Sequence, residues 1–147
     1  MGREDSIPSV LERLMRAVND HDLDALVSCF AQDYVNETPV HPQRGFRGNE
    51  QVRRNWTQIF TIPDFRADVP RHSLDHDRLW TEWEMSGTRP DGAPFLMRGV
   101  VIFGIADEVI RSARFYLEPV ETSTGDVDMH TRRVVGAPSD HATAGQP

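Results

Sequence analysis

The sequence predicts one α+β domain, in which three helices precede a curved antiparallel sheet. Two observations carry this. Apolar residues recur at helical spacing as far as Phe60, and from Phe65 onward the period changes to two. In the first stretch Ser9 and Glu12 stand as a capping box, and Leu11, Leu14, Met15 and Val18 follow at i, i+3, i+4 and i+7. The amphipathic helix they predict stops at Asn19-Asp20-His21. Asp22 is placed to cap a short second helix through Leu23, Leu26, Val27 and Phe30. Asn49 is placed to cap a third through Val52, Trp56, Ile59 and Phe60, with Pro63 where a helix should already have ended. Tyr34-Val35-Asn36 reads as a brief strand, and Pro39 to Gly48, with two prolines and two glycines, reads as a loop able to border a cavity.

The alternating segments run through Phe65, Ala67 and Val69; Leu79, Thr81, Trp83 and Met85; Val101, Phe103 and Ile105; and Ala113, Phe115 and Leu117. Pro90-Asp91-Gly92 and Ala106-Asp107-Glu108 supply hairpin turns, so the last three long strands are predicted to be sequential antiparallel neighbours. Helices first and a meander after place the helices on one face of the sheet. Residues 6–120 form the predicted domain. Residues 121–147 mix Gly, Pro, Ser, Thr and Asp without a period and read as a flexible tail, in which Val134-Val135 is the segment most able to dock.

A chain of 147 residues buries one core well and two poorly. Its net charge of −7, from 16 Lys plus Arg against 23 Asp plus Glu, works against nucleic acid as a partner, because that affinity rests on neutralising phosphates. No apolar run is long enough for a membrane span, and Gly2-Arg3-Glu4-Asp5 does not open a signal peptide, so a cytoplasmic protein is expected. The single cysteine, Cys29, beside Phe30 on a helix stripe, reads as a packing residue. His72 and His76 flank a strand turn with Asp75 and Asp77, and no spacing in the chain supports a metal site; Gly45 and Gly48 are wrongly placed for a phosphate loop. No metal and no organic cofactor is expected.

If residues 80–88 pair with 95–105 about Asp91, and the latter with 110–118 about Asp107, then Glu84, Arg98 and Tyr116 lie in one cross-strand row. Trp80, Glu82, Val100, Ile102, Arg114 and Glu118 share their face, and Trp83, Met85, Gly99, Val101, Phe103, Phe115 and Leu117 share the other. The cost of burying charge turns the second, apolar face toward the helices. On that basis Glu84 and Arg98 form an ordinary cross-strand ion pair and Glu118 ends a strand in solvent.

The motifs themselves point elsewhere. Asn19-Asp20-His21-Asp22-Leu23-Asp24 within a helix pair, Phe30-Ala31-Gln32-Asp33-Tyr34, and Phe46-Arg47-Gly48 before a helix resemble the opening of the nuclear-transport-factor-2-like superfamily. Glu82-Trp83-x-x-Ser86-Gly87, Met97-Arg98-Gly99-Val100 and Ala113-Arg114-Phe115-Tyr116-Leu117-Glu118 look like the sheet of its SnoaL-like, polyketide-cyclase-like branch. The resemblance covers roughly Val10 to Val120. It implies a cone-shaped α+β fold, and it is weak for activity because the scaffold hosts enzymes, binding modules and transport adaptors. A steroid-isomerase site is not matched, since Leu14, Thr38 and Val100 stand where that family has its Tyr and two acids. An epoxide-hydrolase site is matched only by Arg98 and Glu118, with Val100 in place of one acid.

The resemblance also implies the reverse sheet orientation, with Tyr116 and Glu118 inside the cone and the apolar face joining two subunits as a homodimer. We adopt this orientation as the expectation for the site. The pocket it implies holds Glu118, Tyr116, Arg98 and Glu84, with Glu82 and Arg114 nearby, walled by Trp56, Trp80, Leu14 and Val18 and rimmed by His41. Glu118 is the expected general acid or base, with Arg98 and Tyr116 holding an oxyanion. Such a site fits a cofactor-independent isomerase, cyclase or hydrolase acting on a small, largely apolar carbonyl compound or epoxide. The contrasting expectation is a non-catalytic ligand-binding or dimeric assembly module, with Glu118 and Arg98 both satisfied by surface partners.

Overall fold

The computed structural model describes residues 6–138. In chain order the elements are α1 (Ser9–Asn19), α2 (Leu23–Ser28), β1 (Phe30–Glu37), a 3-10 turn (Pro42–Arg44), β2 (Phe46–Arg47) and α3 (Asn49–Ile59). Then come β3 (Arg66–Asp75), β4 (Arg78–Thr88), β5 (Pro94–Ala106), β6 (Val109–Pro119) and α4 (Val127–Val135). The six strands form one sheet in the order β2-β1-β6-β5-β4-β3. Helices α1–α3 cover one face, so the fold is α+β, as the periodicity predicts. None of the helices among the described residues is long and apolar enough to cross a membrane.

Local chemistry explains most boundaries. Asp22 caps α2, accepting from the Ala25 amide. The other two expected caps are replaced. Pro8, in extended conformation, precedes α1 without a side-chain cap, so Ser9 is already helical and its hydroxyl donates to Glu108 Oε1 at 3.1 Å. Gly48, at φ 90°, precedes α3, and Asn49 donates to the Phe30 carbonyl at 3.3 Å, tying the helix to β1. The β5–β6 turn is a two-residue hairpin with Asp107 and Glu108 at φ 55° and 61°, the left-handed pair such a turn requires.

Three features of the sheet differ from the sequence expectation. First, β1 spans eight residues and pairs parallel with β6, from Phe30 opposite Ile110 to Glu37 opposite Arg114; the sheet is mixed rather than purely antiparallel. Second, β4 and β5 pair about Asp91 as expected, but an irregularity after Gly104 shifts β5 and β6 by two residues. Glu118 therefore stands opposite Arg98, and Tyr116 opposite Val100. An even shift preserves which residues share a face. Third, the apolar face is the one under the helices. Leu79, Thr81, Trp83 and Met85 of β4, Val101 and Phe103 of β5, and Ala113 of β6 are buried in one core with Val10, Leu11, Leu14, Val18, Leu26 and Val52. The orientation implied by the family resemblance is thus reversed, and the one argued from the cost of burying charge is found.

The core tolerates few polar groups, and each is paired. Trp83 Nε1 donates to Thr81 Oγ1 at 2.7 Å, and that hydroxyl donates to the Val101 carbonyl at 2.6 Å. Asn19, at the end of α1, clamps β3 at both ends of its carboxamide: Nδ2 donates to the Ala67 carbonyl at 3.0 Å and Oδ1 accepts from the Ala67 amide at 2.8 Å. His21 Nε2 meets the Phe65 carbonyl at 2.9 Å, and its ring stacks on Phe60. Cys29 is buried, and burial pushes its thiol pKa up against the opposing Arg13 charge.

In residues 121–138, where the sequence shows no period, the structure has α4, capped by Asp126 and ended by Gly136 at φ 77°. None of its residues is buried, which is why its pattern is faint: no core imposes a periodicity on it. The rest of the expected tail lies outside the described residues.

Two outcomes test this account. Asn19→Ala removes both partners of one part-buried peptide group, and urea denaturation should register a loss of about 2 kcal/mol, whereas Arg98→Ala on the outer face should stay within about 0.5 kcal/mol. Asp64 accepts from the Thr88 amide at 2.8 Å and from the Thr88 hydroxyl at 2.9 Å, and these bonds hold its pKa below its ordinary 3.8. A depressed carboxylate stabilises the fold above its unfolded pKa and loses that contribution as pH falls through the folded value. Asp64→Asn should therefore lower the melting temperature at neutral pH, with the difference vanishing at about pH 3 and below.

Candidate functional site

Beside the core, where α3 and β1 splay from the far ends of β5 and β6, lies a cavity of about 330 Å³. Its walls are apolar: Phe30, Phe46, Val52, Trp56 and Ile59 on one side, and Met85, Phe95, Met97, Phe115 and Leu117 of the sheet on the other. Five residues with polar ends line it besides Tyr34, namely Asn36, Thr38, Arg44, Asn55 and Glu118. The cavity is of the size that suits one small molecule.

Strand β1 supplies the most rigid of these polar groups. Tyr34 and Asn36 alternate onto the same side of the strand and are both buried. The Tyr34 hydroxyl donates to Asn36 Oδ1 at 2.6 Å, which fixes the carboxamide with its oxygen engaged. Asn36 Nδ2 has only a long contact, 3.5 Å, to Thr38 Oγ1, so N–H capacity remains for an occupant of the cavity. Burial pushes the Tyr34 pKa far up, so the phenol stays a neutral donor. Asn55, on α3, is likewise engaged at its oxygen, accepting from Gln51 Nε2 at 2.8 Å.

Glu118 stands at the mouth. Pairing of β6 with β1 ends at Glu37–Arg114, so the last residues of β6 have no β1 neighbour, and the loop after β1 occupies that flank. His41, in this loop, brings Nε2 to 3.0 Å from Glu118 Oε2. The His41 and Glu118 side chains are 32% and 42% exposed, which lets either exchange protons with water while Glu118 also lines the cavity. Gly99 shapes this end of the sheet: at φ 155° it lies where a Cβ would drive into the Tyr116 carbonyl, so only glycine lets β5 and β6 approach so closely.

The structure thus brings together three of the residues singled out from sequence: Glu118 and Trp56 line the cavity and His41 closes on Glu118. The others are elsewhere. Leu14 and Val18 are buried in the core beneath α1. Arg98 and Glu84 face each other at 3.9 Å on the outer face, both more than half-exposed at the Arg98 end and half-exposed at Glu84. Glu82 pairs there with Arg71 at 2.8 Å, and Arg114 with Glu37 at 3.5 Å. Trp80 and Tyr116 are exposed on the same face. The oxyanion pair of Arg98 and Tyr116 therefore does not form in this cavity, because the sheet presents its opposite face to the helices. Sequence reasoning missed Tyr34 and Asn36. Their signal is a polar residue in phase with a buried aromatic along one strand.

A cone built from a curved sheet and three covering helices, with an apolar cavity closed by a few polar side chains, defines a small-molecule-pocket scaffold of the nuclear-transport-factor-2 type. The family profile for the SnoaL-like domain matches residues 11–113, and the chain belongs to that family. Among solved structures it is similar to a candidate polyketide cyclase from Sinorhizobium meliloti, with 23% identity, coverage of 76% of this chain and 95% of the other, and a TM-score of 0.60. A protein of ketosteroid-isomerase-like fold from Catenulispora acidiphila, crystallised with trimethylamine, has 15% identity, coverage of 92% and 98%, and a TM-score of 0.65. The epoxide hydrolase/cyclase-like enzyme SalBIII, connected with pyran ring formation in salinomycin, has 19% identity, coverage of 76% and 88%, and a TM-score of 0.65. No curated protein matches the sequence.

Fixing Asn36 is the structural task assigned to Tyr34. In Tyr34→Phe the Asn36 oxygen loses its buried donor, and a stability loss of about 1 to 3 kcal/mol is expected in urea denaturation.

Proposed function

We propose that this SnoaL-like protein is a cofactor-independent acid–base catalyst acting on a small, largely apolar carbonyl compound. The observation that carries the reading is the His41–Glu118 contact of 3.0 Å at the mouth of an apolar cavity that also holds the pre-set Asn36 amide. A ketone lying against Trp56 and Phe115 accepts a hydrogen bond at its oxygen from Asn36 Nδ2. The Glu118 carboxylate takes a proton from the adjacent carbon, the C–H electrons move into the carbon–carbon bond, and the carbonyl π electrons collect on the oxygen as an enolate. Return of the proton to another carbon isomerises the substrate, and attack of the enolate on a second carbonyl cyclises it. His41 orients the carboxylate and relays the proton to solvent. Hydration of an epoxide uses the same carboxylate to take a proton from water, although Arg98 is then not the supporting cation.

One observation favours a second reading, a ligand-binding module without turnover: Glu118 and Arg98 each have a partner, His41 and Glu84. In either case a second copy of the chain is the partner proposed for the outer sheet face, where Trp80, Ile102 and Tyr116 lie among paired charges. The readings separate in D2O with 2-hexanone as probe. The catalyst should speed hydrogen–deuterium exchange beside the carbonyl, Glu118→Gln should lower that rate by about 100-fold or more, and Arg98→Ala and Tyr116→Phe should retain it. Exchange no faster than in buffer, with the ketone still bound by NMR titration, would establish the binding module instead.

A further inference from the structure

A second concavity, about 710 Å³, opens beside the first. It is lined by the C-terminal end of α3 and the loop after it (Gln58, Ile59, Thr61, Ile62), by the β4–β5 hairpin and the start of β5, and by the chain leaving β6. Three of its wall residues, Ile59, Phe95 and Met97, also wall the smaller cavity. The two spaces are therefore separated only by side chains that both of them share. One of these is Met97, an unbranched thioether with three rotatable side-chain bonds and the least rigid kind of apolar partition.

The chemistry of the larger cleft is one-sided. Pro90, Pro94 and Pro119 form part of its walls, and proline offers neither an N–H nor side-chain freedom to lose on binding. The polar groups on its surface are already engaged. Arg89 is paired with Asp91 at 2.7 Å, the Thr61 hydroxyl donates to the Gln58 carbonyl at 2.7 Å, and the Val120 amide donates to the Leu96 carbonyl at 3.0 Å. A ligand segment lying here meets a preformed apolar trough with little that rewards a polar group. The smaller cavity is the opposite, with Asn36, Thr38, Arg44, Asn55 and Glu118 gathered at one end.

We propose that the two spaces are head and tail subsites for one elongated ligand: a carbonyl head seated at Asn36 and Glu118, and an apolar tail that passes Met97 into the cleft between Thr61 and Val120. The ligand class this selects is an extended aliphatic or fused-ring carbonyl compound rather than a compact one. The head half rests on the reading given under the proposed function. The tail half rests on the cleft alone.

The two halves can be tested separately with linear methyl ketones, 2-hexanone through 2-decanone, titrated into the intact protein and followed by amide chemical shifts. Each methylene entering the cleft should tighten binding by about fourfold, so that 2-decanone binds on the order of a hundredfold more tightly than 2-hexanone. With 2-decanone, but not with 2-hexanone, the amides of Leu96, Val120 and Thr122 should shift. Thr61→Trp, which fills the cleft, should collapse the ratio of the two affinities, and Arg98→Ala should leave that ratio as in the wild type. An affinity that stays flat beyond 2-hexanone, or shifts confined to the smaller cavity, overturns the tail subsite; the shift map decides this even if Thr61→Trp does not fold. Asn36→Leu should weaken the whole series by a common factor. If it does not while the length dependence persists, the carbonyl-head reading fails and the apolar cleft stands.

Discussion

Burial of one face of the sheet beneath α1–α3 is the constraint on which the rest of the structure depends. Trp83, Val101 and Phe103 are each 3% exposed or less, while residues one position away along the same strands, Glu82, Glu84 and Arg98, face water. Fully burying an apolar side chain contributes about 1.5 to 3 kcal/mol, whereas an ion pair on an exposed face contributes about 0.2 to 1 kcal/mol. Turning the sheet over would forfeit the first and desolvate the second. The side-chain period of two makes this a choice for whole strands at once, so the placement of every candidate residue on β4 and β5 follows from it.

The same constraint locates the site. Where the helices press closely on the sheet, as Leu14 and Val18 do, there is no room for a ligand. Space appears only toward the far ends of β5 and β6, where Trp56 of α3 faces Phe115 and Leu117 across the cavity. Polar groups reach this space from outside the apolar alternation. Asn36 comes from β1, which joins the sheet by a parallel pairing, and Glu118 from the end of β6, where that pairing has stopped. His41 arrives on the loop between β1 and β2. The chemistry sits at the edge of the packed core because the core itself admits only polar groups that pair internally, such as Thr81 with Trp83.

Much of this was legible in the amino-acid sequence and some of it could not be. The three helices, the meander and the Asp91 turn follow from local periodicity and turn chemistry, and the buried face follows from which alternate residues are apolar. The resemblance to SnoaL-like proteins identified the fold correctly but carried with it a sheet orientation that this chain's own residues oppose. The β5–β6 register was misread by two because a two-residue turn and a nearby irregularity both alter the count, and neither leaves a compositional mark. The parallel pairing of β1 with β6 joins segments far apart in sequence, and so does the contact of His41 with Glu118. A loop histidine and a strand-end glutamate carry no sequence signal that they meet.

Tyr34 shows how a buried polar residue can specify a site without taking part in its chemistry. Its ring packs edge-on against Phe30, with centroids 4.9 Å apart, and near Phe46. Its hydroxyl is the only part that must find a partner, and it finds Asn36 Oδ1. A carboxamide held at its oxygen cannot flip without stranding that hydroxyl in an apolar environment, at a cost of about 1 to 3 kcal/mol. The Asn36 amide is thereby committed to donating. An oxygen entering the cavity meets a donor that need not reorganise to receive it, which is the property that makes a fixed dipole more effective than a mobile one where charge develops. Arg44, whose side chain is free of such a restraint in its exposed loop, offers charge but not direction; Asn36 offers direction, and in an apolar cavity direction is what selects the end of the ligand that reaches Glu118.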